Sequence, residues 1–233
     1  MTMKYLLAVL LTFQNGIHLL AVPATKSEVN WNLIQRNGWG ARPAKESEAN
    51  FKGSAPFLIL HHSYVPSAAY TNQDCIAAMQ YIQNLHMDTN GWSDIGYSFA
   101  ICGDSNVYVG RGYNVIGSHA PNYNSRSIGL LLIGDYVAQL PTQTMLAVTH
   151  DFIDYSVKTG NLQEDYILYG HRQVRGTECP GAALYAEIQT WPNWQEVEQH
   201  NHVTTNAIQG KATKLSLVLT ITTIVLLLPQ RFT

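Results

Sequence analysis

The chain has 233 residues, of which 46% are hydrophobic and 13% charged, with a formal charge of −2 at pH 7. That size suits one globular domain with appendages. No basic run precedes the tail and the balance is slightly acidic, which argues against nucleic acid as a partner.

Lys4 stands ahead of a mostly apolar stretch from Tyr5 to Leu20, and Val22-Pro23-Ala24 forms a small-residue exit. This is the pattern of a secretory signal peptide over residues 1–24, with cleavage after Ala24 or, as second choice, after Ala21. Gly16 and Pro23 punctuate the stretch, against a buried helix. The expected location is therefore secreted and extracellular. One domain is expected over residues 27–199, without repeats or long linkers.

Phe57 to His61 is a short apolar run read as a buried central strand. Thr71-Asn72-Gln73-Asp74 offers N-cap chemistry, and Ile76, Met79, Ile82 and Leu85 recur at helical spacing until Gly91. Tyr97–Cys102 and Val107–Val109 flank Gly103-Asp104-Ser105-Asn106 and predict a hairpin. Ser127 to Ile133 reads as another strand. Pro141 and Thr142 open an amphipathic helix through Met145, Val148, Phe152, Ile153 and Val157, ended by Gly160. Ala182 to Ile188 is a last helix. Strands mixed with helices in this way predict an α/β domain with a mixed central β-sheet flanked by helices.

Beyond it come a polar spacer, residues 200–214, and a hydrophobic C-terminal tail, residues 215–233. The aliphatic part, Leu215 to Leu228, is short of the roughly 20 apolar residues a membrane span needs. It resembles the removable tail of a lipid-anchor signal, with Asn206, Ala207 and Gly210 as attachment candidates. A short membrane anchor and an uncleaved peripheral tail are the other readings, so a tether to the outer cell surface is among the expectations.

The chemistry sits in His61, His171 and Cys179. His61 ends the strand Phe57-Leu58-Ile59-Leu60, whereas His171 and Cys179 lie far downstream in Gly170-His171-Arg172 and Glu178-Cys179-Pro180. Two imidazoles and a thiolate suit Zn²⁺, and three protein ligands leave one tetrahedral position open, the mark of a catalytic rather than structural site. Taken singly, each histidine reads as a structural residue and the cysteine as a small buried hydrophobe. Together they suggest metal-activated hydrolysis. The chain has 3 cysteines, an odd number; with Cys179 on a metal, Cys75 and Cys102 remain, and their pairing is left open.

From about Asn30 to about Trp194 the chain resembles the peptidoglycan recognition proteins, in their amidase-active insect form. The resemblance is carried by Asn37-Gly38-Trp39-Gly40-Ala41-Arg42-Pro43, Leu60-His61-His62-Ser63 and Gly91-Trp92-Ser93-Asp94-Ile95-Gly96-Tyr97-Ser98-Phe99. It continues through Tyr108-Val109-Gly110-Arg111-Gly112, Gly117-Ser118-His119-Ala120, Ser127-Ile128-Gly129, Gly170-His171-Arg172 and Thr177-Glu178-Cys179-Pro180-Gly181. It implies the phage-type zinc amidase fold and zinc held by His61, His171 and Cys179. The implied activity is N-acetylmuramoyl-L-alanine amidase, which cuts the bond between N-acetylmuramic acid and the stem peptide. Bacterial peptidoglycan and muropeptides are the implied partners, and the setting is innate immunity, with the elicitor degraded and signalling damped.

The resemblance also implies residue roles. Tyr97 matches the catalytic Tyr, and Thr177 a second polar residue beside the metal. His86, Gly91, Trp92, Arg111, His119 and Asn124 match substrate-binding positions. Gly91-Trp92 with Arg111 resembles readers of meso-diaminopimelate, whose extra carboxylate a guanidinium can grip in two places. One departure concerns the small disulfide that relatives form with a Cys six residues before Cys75: here Ala69 stands there, and Cys102 stands where relatives tend to have Gly. Two competing readings are a non-catalytic membrane-tethered receptor and a cysteine hydrolase with Cys179 as nucleophile and His171 as base.

Overall fold

The computed structural model describes residues 29–46 and 49–197. The expected signal peptide, spacer and C-terminal tail lie outside the described residues. Among the described residues, no helix is long and apolar enough to cross a membrane.

A six-stranded sheet runs through the domain in the order β1-β4-β3-β5-β2-β6. Its strands are β1 (Leu33–Ile34), β2 (Ala55–His62), β3 (Phe99–Ile101), β4 (Val107–Val109), β5 (Ser127–Leu132) and β6 (Leu162–Gly170). Only the β3–β4 hairpin pairs antiparallel; β2 lies parallel between β5 and β6. A strand in that position is covered on both faces and must be apolar throughout, as Phe57-Leu58-Ile59-Leu60 is.

The period-two alternation of strands assigns residues to two layers. Leu58 and Leu60 of β2, Phe99 and Ile101 of β3, and Leu130 and Leu132 of β5 share one core with α2 (Gln143–Lys158) and α4 (Ala182–Ile188). Ala100 and Leu131 take the opposite parity and pack with Cys75, Ala78, Met79 and Ile82 of α1 (Asn72–Asn84). The fold class is thus α/β, a mixed, mostly parallel sheet between helices, as the sequence predicts.

Both long helices start where a hydroxyl can cap them. The Thr71 side chain accepts from the Asp74 N–H and the Thr142 side chain from the Met145 N–H, each satisfying a donor that the helix itself cannot. The α1 helix does not end at its last regular residue; a wider π turn, Leu85–Thr89, carries His86 and Met87 into the interior before Gly91, at φ 72°, turns the chain.

The open question of Cys75 and Cys102 is resolved. They form a disulfide with Cα atoms 6.0 Å apart, tying the first turn of α1 to the end of β3. Cys102 supplies the partner that Ala69 cannot. The Ala69 carbonyl oxygen lies 3.6 Å from the Cys75 sulfur and 3.5 Å from that of Cys102, so the same corner is tethered from the neighbouring strand.

Candidate active site

Parallel strands present their carboxyl ends on one edge of the sheet, where open α/β folds bind ligands. His61, next to last in β2, pairs with Leu131 of β5, and Leu60 beside it pairs with Gly170, the last residue of β6. His171 follows Gly170 as the first residue of the short helix α3 (His171–Val174). Two histidines far apart in sequence therefore become neighbours, with ring centroids 4.4 Å apart. Cys179 closes the group from the turn between α3 and α4.

The donor atoms of His61, His171 and Cys179 all lie within 4.8 Å of one another. The Cys179 Sγ is 3.7 Å from the His61 Nδ1. A tetrahedral ion with ordinary Zn–N and Zn–S bonds sets that separation at about 3.6 Å. The Nε2 of His171 is buried without a hydrogen-bond partner, although buried polar atoms are nearly always satisfied. A cation between the three residues would satisfy it. The donor set and its spacing therefore fit Zn²⁺.

Around the trio, other groups fix its orientation. The Nδ1 of His119 lies 3.0 Å from the His61 Nε2, which leaves Nδ1 of His61 for the cluster. His119 can pack there because β5 has Gly129 beneath it: a Cβ at that position would sit 2.3 Å from the ring. The His62 backbone N–H points at the Cys179 sulfur at 3.4 Å. The His62 ring turns away instead, its Nδ1 accepting from the Tyr136 N–H at 3.2 Å. Thr177 Oγ1 accepts from the Cys179 N–H at 3.2 Å and so braces the turn that presents the sulfur.

Burial decides the protonation states. It holds His61 well below the ordinary imidazole range, with His119 and His171 adding to the effect. His171 is lowered to about 4, by burial first and then by Arg175 and His62. Both rings are thus neutral, as metal ligands must be. Burial pushes the Cys179 thiol up to about 12, against the pull of the His62 N–H and Arg172. Such a thiol is no nucleophile by itself at neutral pH, whereas a coordinated one loses its proton outright. Burial also raises the Tyr97 phenol, with Cys179 adding to it, so Tyr97 stays a hydrogen-bond donor.

Two clefts open at the trio, sharing Tyr97 and His171. One, of about 640 Å³, is lined by His62, Ser63, Tyr64, Asp135, Val137, Thr177, Glu178 and Cys179 besides. The other, of about 320 Å³, adds Trp92, Ser118, His119, Pro121, Asn124 and Arg175. Of the substrate-binding candidates, Trp92, His119 and Asn124 line this second cleft. His86 lies beneath it, its ring tilted against Trp92 with centroids 4.5 Å apart and its Nδ1 accepting from the Gly96 N–H at 3.0 Å. Gly91 shapes the turn and lines neither cleft. Arg111 is buried, donates from Nε to the Ile95 carbonyl and from Nη1 to the Ile116 carbonyl, and lines a separate opening with Arg36 and Asp94.

Sequence reasoning assigns no role to Arg175 or Tyr64, although each lies in a cleft wall. Arg175 stands four residues after His171 in a segment already singled out, and that proximity is the available signal. Nothing in the local pattern around Tyr64 marks it.

The fold and the site define an amidase: residues 52–182 match the family model described as N-acetylmuramoyl-L-alanine amidase. The chain belongs to that family and is an enzyme of that class, in its peptidoglycan-recognition branch. It is 48% identical to peptidoglycan-recognition protein LB of Drosophila melanogaster over 165 residues, 71% of this chain and 71% of that protein. It is 44% identical to an N-acetylmuramoyl-L-alanine amidase of Sus scrofa over 158 residues, 67% of this chain but 26% of the pig protein. A solved structure of a Drosophila LB mutant, with one tyrosine replaced by phenylalanine, in complex with tracheal cytotoxin superposes with a TM-score of 0.69 at 48% identity, covering 70% of this chain and 96% of that one.

Proposed function

We propose that the protein is a zinc-dependent amidase. It hydrolyses the bond between the lactyl group of N-acetylmuramic acid and the L-Ala of the stem peptide, preferring the meso-diaminopimelate type. Peptidoglycan hydrolysis in immunity is the family's setting; the proposal adds that cleavage outside the cell destroys the elicitor and damps signalling. The observation that carries it is the trio itself, with the unsatisfied His171 Nε2 facing two further soft or borderline ligands.

His61, His171 and Cys179 would hold the ion, which supplies Lewis acidity toward a carbonyl and hydroxide at neutral pH. Everything else falls to the chain. His119 fixes the ring of His61 through its Nδ1. Thr177 braces the sulfur-bearing turn, and its own hydroxyl proton remains available to an oxygen in the larger cleft. Tyr97, held protonated by burial, faces both clefts and donates to the oxyanion that develops at the scissile carbonyl. A donor in that role is worth about 2.7–4 kcal/mol.

Two things support the diaminopimelate preference. Gly91-Trp92 stands where such readers have it, with Trp92 in the wall of the smaller cleft, and the LB relative is complexed with tracheal cytotoxin. The smaller cleft adds Arg175, and among the described residues none of its walls carries a carboxylate. That suits an acidic stem peptide. A receptor without catalysis would need neither the matched ligand spacing nor a protonated phenol beside it.

Mass spectrometry of diaminopimelate-type and lysine-type muropeptides, incubated with wild type and Cys179→Ser, tests both levels. The expected outcome is separation of sugar from peptide by wild type alone, faster for the diaminopimelate type. Equal cleavage by both proteins removes Cys179 from the mechanism, and faster turnover of the lysine type rejects the preference.

A further inference from the structure

The two clefts differ in charge. The larger has Asp135 and Glu178 in its walls and, among the described residues, no Lys or Arg. Glu178 is drawn to Arg172, at 3.5 Å, and Asp135 is half exposed. The smaller cleft has the reverse balance, with Arg175 its one full charge. The scissile amide joins two chemically different halves. The stem peptide is acidic, whereas the sugar is neutral once its lactyl carboxyl is tied up in the amide. Carboxylates repel the first and accept hydrogen bonds from the hydroxyls of the second.

Tyr64 stands in the wall of the larger cleft, 60% exposed. Its φ is 59°, a region that bulky side chains avoid. The chain holds it there by continuing the sheet past β2. The Ser63 N–H donates to the Leu132 carbonyl at 3.1 Å and the Tyr64 N–H to the Gly134 carbonyl at 3.0 Å. The Ser63 hydroxyl accepts from the Gly134 N–H at 2.8 Å. Strain of this kind persists where the surroundings over-determine it, and it concentrates at ligand sites. Here its product is a large aromatic face turned toward solvent, with the His62 ring 6.0 Å away and Val137, itself 41% exposed, in the same cleft wall. In the wall of a cleft, such a face is one that a ligand can cover.

We propose that Tyr64 is a glycan platform. The sugar ring of the substrate lies with its C–H face on the phenol ring and its hydroxyls toward Asp135 and Glu178, while the peptide runs into the Arg175 cleft. The inference rests on the amidase reading for the identity of the substrate, and on the charge contrast and the Tyr64 backbone for its placement.

The test compares a muropeptide with the matching D-lactyl peptide, which keeps the scissile bond and lacks the sugar, in wild type, Tyr64→Phe, Tyr64→Asn and Tyr64→Gly. Truncating a well-placed aromatic anchor at a binding surface raises KM roughly tenfold. That rise is expected for the muropeptide in the Asn and Gly variants, with kcat within about twofold, no change on the lactyl peptide, and near-wild-type behaviour in Tyr64→Phe. Because Asn and Gly accept a positive φ, their melting temperatures should equal or exceed that of wild type. Equal losses on both substrates, no loss on the muropeptide, or a clear drop in melting temperature would each overturn the proposal. Saturation-transfer NMR with the disaccharide N-acetylglucosaminyl-N-acetylmuramic acid, its lactyl carboxyl capped as a primary amide so that the probe is neutral like the substrate's sugar, decides it apart from catalysis. Transfer to the sugar ring protons should be present in wild type and lost in Tyr64→Gly, and its absence in wild type overturns the platform. Failure of wild type to cleave either substrate would instead count against the amidase reading.

Discussion

His119 and His86 both match family substrate positions, yet the structure gives them different work. His119 is 6% exposed, and its Nδ1 is spent on His61. Partners of this kind hold a metal-binding ring in one tautomer and orientation, and losing one weakens metal affinity by roughly 10- to 100-fold. The same loss is expected for His119→Ala in competition with a chromophoric chelator, with partial recovery in His119→Gln. Unchanged affinity in the Ala variant would leave His119 only its place in the cleft wall.

His86 makes a prediction about pH. Burial and then Arg111 lower it from the ordinary value of 6.5 to about 4, with Asp94 pulling weakly upward. The unfolded chain takes up a proton near pH 6.5 and the folded chain only near pH 4. The stability this group contributes is therefore complete above pH 6.5 and lost as pH falls toward 4, by on the order of 2–3 kcal/mol. Its NMR ring resonances should stay constant down to about pH 5; a midpoint near 6.5 would mean that the ring is solvated.

The residues of the trio are legible in the sequence because each sits in a short dense motif: double His, Gly-His-Arg, Thr-Glu-Cys-Pro-Gly. Which neighbours touch them is not. His119 reaches His61 across 58 positions, and the glycines at 117 and 129 make room for its ring, a fact of packing with no local pattern.

Among elements, the apolar strands β2 and β5 and the capped helices can be read because burial on both faces and N-cap hydroxyls leave strong local patterns. β1, with 2 residues, has no pattern to read. β6 escapes the sequence reading as a strand, although its apolar half, Tyr166-Ile167-Leu168-Tyr169, is conspicuous. Its first half, Gln163-Glu164-Asp165, is exposed and polar, so the apolar run is too short to mark a strand until its pairing with β2 is known. The disulfide is illegible for another reason: 27 positions separate the two cysteines and only the fold sets their distance. A crosslink of that span contributes about 3.5 kcal/mol by the loop-entropy relation. The Cys75→Ala/Cys102→Ala double variant should accordingly melt about 10 °C lower while still cleaving muropeptides. A variant that keeps its melting temperature would show that α1 holds its place without the tether.

For the whole molecule, the sheet edge gathers three ligands from β2, from the start of α3 and from the turn before α4, so a bound ion links segments more than a hundred positions apart in sequence. An ion that binds only the folded chain stabilises it by mass action, about 4.1 kcal/mol when the free ion exceeds its dissociation constant a thousandfold. Chelation should then do two things together: abolish hydrolysis and lower the melting temperature by several degrees, with Zn²⁺ restoring both. The thiol alternative predicts otherwise. Cys179 acting as nucleophile with His171 as base would keep its activity in chelator and lose it to a thiol-alkylating reagent. Alkylation alone cannot separate the two, because it also removes a ligand. The decisive measurement is therefore activity and melting temperature along one chelator titration. If the melting temperature falls while hydrolysis continues, the ion is structural and the reaction belongs to the thiol. If both fall at one chelator concentration and both return with Zn²⁺, the ion that ties the segments together is the one the reaction needs.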